Sequence, residues 1–182
     1  MGNFIGDFVK GSDLNAYSEG MILGIKLHRE IDRFTDTHAE VLKSKVLLRE
    51  KYRHYAPVIV DIFYDHFLAS NWSKRHAVAL PDFTRQFYRL AEKHISRIPK
   101  SASEVLRYMK SDDWLFNYQF IEGINKALVG MSRRTKFQSK MEEAVHDLKE
   151  NYDQFHQHFE NFFPELVDFS GSYIAKHQTD RR

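Results

Sequence analysis

Along most of the chain, apolar residues recur every three or four positions, the period of an amphipathic helix. From about Ser18 to Phe34 the stripe is Met21, Ile25, Leu27, Ile31 and Phe34, and Thr35 and Asp36 are expected to break it. Thr37-His-Ala-Glu40 has the form of a capping box for a second helix reaching about Tyr55. Pro57 suits the first turn of a third, strongly apolar helix that ends near Asn71 and Trp72. Pro81 opens another, with Phe83, Phe87, Leu90 and Ala91 on one side, closed before Pro99; Ser103 is placed to cap a short helix through Met109. Trp114 to Met131 reads as a further helix. Phe137, Met141, Val145, Leu148, Tyr152, Phe155 and Phe159 predict one long amphipathic helix, interrupted by Pro164. At the front, residues 3–10 read as a helix end stopped by Gly11, followed by a polar loop or helix start. At the back, the polar stretch after Tyr173 is expected to fray. No strand alternation, internal repeat or Gly/Ser linker competes. The expectation is all-α: one compact domain of about seven or eight helices over residues 1–175, with a polar tail at 176–182.

Composition narrows the classes. With 42% hydrophobic and 14% aromatic residues, 15 of them Phe, the chain is rich enough in apolar side chains to bury a core, which excludes a disordered protein. The absence of Cys removes disulfides, thiolate metal sites and a Cys nucleophile, and fits a reducing, cytoplasmic setting. A net charge of +2 gives no reason to expect a nucleic-acid partner. No apolar run approaches the ~20 residues of a membrane span and no signal-peptide pattern opens the chain, so no membrane association is expected.

The candidate chemistry lies in two helices. Residues 60–72, VDIFYDHFLASNW, carry Asp61, Asp65 and His66 inside an apolar run. Asp61 and Asp65, four apart, share a helical face, whereas His66 points about 100° away from Asp65. Burying such groups is unfavourable without a metal ion or a hydrogen-bond network. The stretch GIKLHREIDRFTD supplies a complement, His28 and Asp32, again four apart. Facing helices would gather imidazoles and carboxylates suited to Mn²⁺, Fe²⁺ or Mg²⁺. Duller roles stand beside these. His28 with Asp32 is also a common structural hydrogen bond. Asp61 also suits a helix N-terminus, Asp36 is a cap as readily as a ligand, and Asp7 is a lone acid of the kind that usually faces solvent. Of Asp65 and His66, one can ligate while the other supports from outside. Arg29, Arg33, Arg133 and Arg134 are candidate phosphate binders or ordinary surface charges. The remaining histidines, His156 and His158 included, read as surface residues. Gly-rich phosphate loops, GxSxG and HExxH are absent.

GNFIGDFVKG, GIKLHREIDRFTD, VDIFYDHFLASNW and GMSRR, in this order and spacing, resemble the bacterial acyl carrier protein phosphodiesterase family, from Gly2 to about Tyr173. The resemblance implies an all-helical, HD-domain-like phosphohydrolase fold. It implies hydrolysis of the phosphodiester between serine and 4′-phosphopantetheine in holo-acyl carrier protein, with a divalent ion, chiefly Mn²⁺. On that expectation His28, Asp32, Asp65, His66 and Asp7 hold the metal, Asp36 or Asp61 orients a water or takes its proton, and Arg29 or Arg33 neutralises phosphate charge. An acidic protein substrate further implies a basic docking face, for which Lys43–Arg53 and the Arg133-Arg134-Lys136 turn are candidates. Two departures carry weight. Family members usually begin with a further segment of the type NFLAHLHLA, whose His could belong to the active centre, so the expectations are a truncated chain, a mis-assigned start or an enzyme of reduced activity. Asp65-His66 also reverses the His-Asp doublet of HD proteins. Rival readings are an HD-type phosphohydrolase of a nucleotide or small phosphodiester, and a non-enzymatic helical interaction module.

Overall fold

In the computed structural model the described residues are 1–179, so the last three positions of the expected tail lie outside them. The described chain is helical, with no strand. Its helices are α1 (Glu19–Thr37), α2 (Ala39–Tyr52), α3 (Ala56–Ser70), α4 (Leu80–Lys93), α5 (Lys100–Ser111), α7 (Ile121–Ser132), α8 (Ala144–Glu150) and α9 (Tyr152–Thr179), with a four-residue helical turn, α6 (Trp114–Asn117). None is long and apolar enough to cross a membrane.

Helix α3 is the centre. Ala56, Ile59, Val60, Ile62, Phe63, Tyr64, His66, Phe67 and Ala69 are buried, so the helix is enclosed on nearly all sides. It packs with α2, α7, α8 and α9 into one core whose largest enclosed rings are Phe63, Phe67, Phe155 and Phe159. Phe63 and Phe155 meet edge to face at 5.0 Å between centroids, as aromatic quadrupoles favour. A second core joins the N-terminal segment to α1, α4 and α5 through Ile5, Ile25, Tyr88, Ala91 and Leu106.

Several expected boundaries move. The chain opens with turns and a short 3-10 stretch, Gly6–Phe8, in place of a helix end. Gly11, at φ +80°, turns the backbone where L side chains strain. Helix α1 continues through Asp36 to Thr37, whose Oγ1 donates back to the Arg33 carbonyl at 2.9 Å. The cap of α2 is therefore His38, whose Nδ1 accepts from the Glu40 N–H at 3.2 Å, and not Thr37. Helix α5 starts at Lys100, so Ser103 lies inside it. The single helix expected over 114–131 is broken by extended backbone at Phe120. The long helix expected from Phe137 starts late: Lys140 is left-handed at φ +57°, and Asn151 separates α8 from α9. Conversely α9 runs through Pro164 and past Tyr173. An interior proline costs about 3 kcal/mol, and packing on both sides of it offsets that. Phe162 lies against Phe34 (6.2 Å) and Tyr64 (5.5 Å), and Phe169 stacks on Phe34 at 4.7 Å.

The N-terminal segment lies directly on α1. A Cβ at Gly24 would sit 2.7 Å from the Asn3 nitrogen and 2.8 Å from the Gly2 Cα, far inside contact distance, whereas one at Gly20 meets nothing within 4 Å. Gly24→Ala is therefore expected to destabilise the protein by roughly 1–3 kcal/mol, and Gly20→Ala to be neutral or stabilising by up to about 1 kcal/mol. Thermal unfolding of the two variants checks this; equal shifts would mean that the segment is not seated on the helix.

Candidate metal and phosphoester site

Close seating of the first residues on α1 builds the site. Gly6 lies under the His28 ring, so that a Cβ there would fall 2.2 Å from Cγ and Cδ2. The next residue, Asp7, thereby brings Oδ1 to 3.0 Å from His28 Nε2. One turn further along α1, Asp32 Oδ2 stands 3.2 Å from the same nitrogen. The ligand atoms of Asp7, His28 and Asp32 all lie within 4.8 Å of one another. One nitrogen between two carboxylate oxygens is a donor set suited to a divalent ion such as Mn²⁺.

The polar strip of α3 adds to this charge. Asp61 and Asp65 are reachable by solvent, yet so much protein surrounds their carboxylates that desolvation is the largest influence on both. Burial raises Asp61 to about 6; Lys45 opposes the shift, and Asp36, Asp32 and Asp7 add to it. Burial and the charge of Asp61 raise Asp65 to about 7. Burial also raises Asp32, with His28 acting in the opposite direction. Five carboxylates thus influence one another across the gap between α1, α3 and the N-terminal segment, an arrangement that a bound cation would relieve.

The other expected site residues take different places. His66 is buried and turned away from the carboxylates: Nδ1 donates to the Tyr118 carbonyl at 2.9 Å, and Nε2 accepts from the Tyr152 hydroxyl at 3.0 Å. Burial lowers its pKa, in keeping with that neutral form. Both ring nitrogens are occupied, so the structure gives His66 the part of an anchor that holds α3 and leaves Asp65 facing outward. Arg29 donates to the carbonyls of Val9 (2.9 Å) and Gly11 (2.8 Å), pinning the N-terminal loop rather than presenting its guanidinium to a phosphate. Arg33 is exposed and pairs with Glu30. Asp36 pairs with Lys45 Nζ at 2.9 Å. Asp65 is not among the three residues whose ligand atoms converge.

Three features escaped the sequence. Lys45, expected on a basic outer surface, has only 14% of its side chain exposed and turns toward Asp36 and Asp61. No local signal separates it from Lys43, which pairs with Glu40 on the outside. The second feature is a cavity of about 660 Å³ between the 114–120 turn and α7, walled by Trp114, Tyr118 and Phe120. Of the histidines expected at the surface, His158 is buried and its Nδ1 lies 2.9 Å from Ser44 Oγ, inside a Ser44–Tyr64 network.

Comparison with known proteins agrees with the motif pattern. The sequence matches the family described as acyl carrier protein phosphodiesterase over residues 1–166. Curated relatives bearing that name include proteins of Photorhabdus laumondii (32% identical over 169 residues, 92% of this chain and 85% of the relative) and Klebsiella pneumoniae strain 342 (33% over 171 residues, 91% and 86%). The Serratia proteamaculans protein is 29% identical over 168 residues, 92% of this chain and 87% of the relative. No solved structure matches.

The raised carboxyls make a stability prediction. A carboxyl whose folded pKa exceeds its unfolded value stabilises fully at low pH and loses that contribution as pH rises through the folded pKa. In chelator, Asp65→Asn should therefore unfold at a higher temperature than the wild type. The advantage should grow from about pH 4 and level off a little above pH 7, the reach of the shift to about 7. A pH-independent difference in melting temperature would rule this environment out.

Proposed function

The chain belongs to the acyl carrier protein phosphodiesterase family, a family of enzymes, and from this we propose that it hydrolyses the serine–4′-phosphopantetheine phosphodiester of holo-acyl carrier protein, leaving the apo-protein. The observation that carries the reading is the convergence of Asp7, His28 and Asp32 beside the raised carboxyls of Asp61 and Asp65. This donor set fits a divalent ion, Mn²⁺ first, with Mg²⁺ or Fe²⁺ as alternatives. Such an ion, when bound, supplies positive charge to the phosphodiester.

The protein's own groups supply proton transfer and position. Water adds to phosphorus and the serine oxygen leaves, so one proton must be removed from the water and one delivered to serine. Asp61 and Asp65, both raised toward neutral pH by burial, suit these two roles as a pair, one taking the proton from water and the other giving one to the serine oxygen. Asp36 is the weaker candidate because Lys45 already engages it. Lys45 is placed to share its charge with a phosphate brought near Asp61. His66 holds α3 from behind through Tyr118 and Tyr152, which keeps the Asp61–Asp65 strip aimed at the cleft.

An acidic protein substrate needs a positive face. On α2, Lys43 and Lys51 are drawn into pairs within the chain, with Glu40 and Asp147 respectively. The exposed Arg133-Arg134-Lys136 turn is the better docking candidate, since Arg134 also lines the cavity. Turnover of holo-acyl carrier protein should therefore weaken as salt rises.

The deciding experiment follows phosphopantetheine release by mass, with Mn²⁺ and with chelator. The expected result is release by the wild type, loss on chelation, and a fall of roughly 100-fold or more in Asp32→Ala and His28→Ala. Hydrolysis of a nucleotide or simple phosphodiester in its place, insensitive to salt, would assign a different phosphohydrolase. No hydrolysis of either, with unfolding unaffected by Mn²⁺, would leave a helical interaction module.

A further inference from the structure

The cavity beside the 114–120 turn has no role in proton transfer, yet its position is specific. Tyr118 lines it; the Tyr118 carbonyl accepts the His66 hydrogen bond, and its hydroxyl is raised first by burial and then by the charge of Asp65. The cavity thus begins where the row of acids ends. Its walls are the rings of Trp114, Tyr118 and Phe120, and its floor is the small-residue face of α7, Gly123, Ala127 and Gly130. Asp112, Asn117, Glu122, Lys126 and Arg134 supply polar and charged groups to the lining. At about 660 Å³ it falls within the range of small-molecule sites, roughly 300–1,000 Å³. A hollow of equal volume between α4 and α5, lined by Ile95, Ser103 and Leu106, shares no residue such as Tyr118 with the neighbourhood of Asp65.

We infer that this cavity holds the pantetheine arm while the phosphodiester lies against the acids. The inference rests on the proposed phosphodiesterase reading. The arm is neutral and extended. It bears a gem-dimethyl group, a hydroxyl and two amides, and ends in a thiol. Aromatic walls and a small-residue floor suit the dimethyl and methylene groups, and the polar side chains of the lining suit the amides. The two acids and two bases of the lining balance in charge, and a compact ligand would leave the aromatic walls unused. The arm is common to every pantetheinylated serine, so the cavity would provide a second contact beyond the docking of the protein's surface. It would also discriminate against phosphodiesters that lack the arm.

The structure supplies its own reporter and its own plug. The chain has two tryptophans, Trp72 and Trp114, so Trp72→Phe leaves emission from the cavity wall alone. A Cβ at Gly130 would meet nothing within 4 Å, so Gly130→Leu projects into open space on a helix that leucine favours. In the Trp72→Phe protein, titration with pantetheine should change Trp114 emission saturably, and Gly130→Leu should abolish the change while helicity stays intact. With holo-acyl carrier protein as substrate, Gly130→Leu should raise KM roughly 10-fold or more, and Ser103→Leu, in the hollow between α4 and α5, should not. Pantetheine binding without release of phosphopantetheine from the carrier would keep the cavity and sink the hydrolase reading. Release from the carrier, with no emission change and an unaltered KM in Gly130→Leu, would overturn the cavity assignment and leave the hydrolase reading standing.

Discussion

Helix α3 is buried on so much of its circumference that its polar side chains have almost no choice of direction. Phe63 and Phe67 are fully enclosed, and His66 is tied on the inner side to Tyr118 and Tyr152. With those faces committed, Asp61 and Asp65 are left on the open side of the helix, Asp61 beside the acids of α1 and Asp65 between Asp61 and Tyr118. Their raised pKa values follow from the same enclosure: the carboxylates stay reachable by solvent, yet the protein packed around the helix removes part of their hydration. The apolar packing that stabilises the fold and the electrostatic tension in the site are therefore two results of one arrangement.

The N-terminal segment completes the gap. It has no regular helix of its own and is held by close backbone approach, by Arg29 reaching the Val9 and Gly11 carbonyls, and by the Ile5 side chain in the second core. Glycines at 2, 6 and 24 permit that approach, because a side chain on any of them would occupy the space of a backbone or ring atom. The functional consequence is Asp7. Without the segment, His28 and Asp32 would remain as an ordinary helical pair; with it, three donors meet.

Acids, cavity and basic turn follow one another from α1 past α3 to α7. Asp7, Asp32 and Asp36 act on Asp61, Asp61 acts on Asp65, and Asp65 acts on Tyr118, which lines the cavity together with Arg134. That order would suit the substrate proposed above, a phosphate joined to a long arm and an acidic protein. Division of labour along a line also explains why one helix carries both acid–base candidates and a buried imidazole that touches neither.

The helical class, the single domain and most of the helix positions were legible along the chain, because a 3.6-residue apolar period is a local property. The suspicion attached to His28, Asp32, Asp61 and Asp65 was legible for the same reason: carboxylates inside an apolar helix stand out against their neighbours. Local periodicity was silent about long-range competition. Packing carried α9 through Pro164, and the backbone reversals at Phe120 and Lys140 split two stretches whose apolar spacing looked continuous. The roles of Arg29 and His66 were equally hidden, since both are settled by carbonyls far along the chain, at Val9 and Gly11 and at Tyr118. Lys45 and Lys43 look alike in one dimension, and only the turn of α2 against α1 sends one inward to Asp36 and the other outward. The residues carry their chemistry wherever they stand, but which of them share a site depends on distances between helices, and those are set by how the whole core closes.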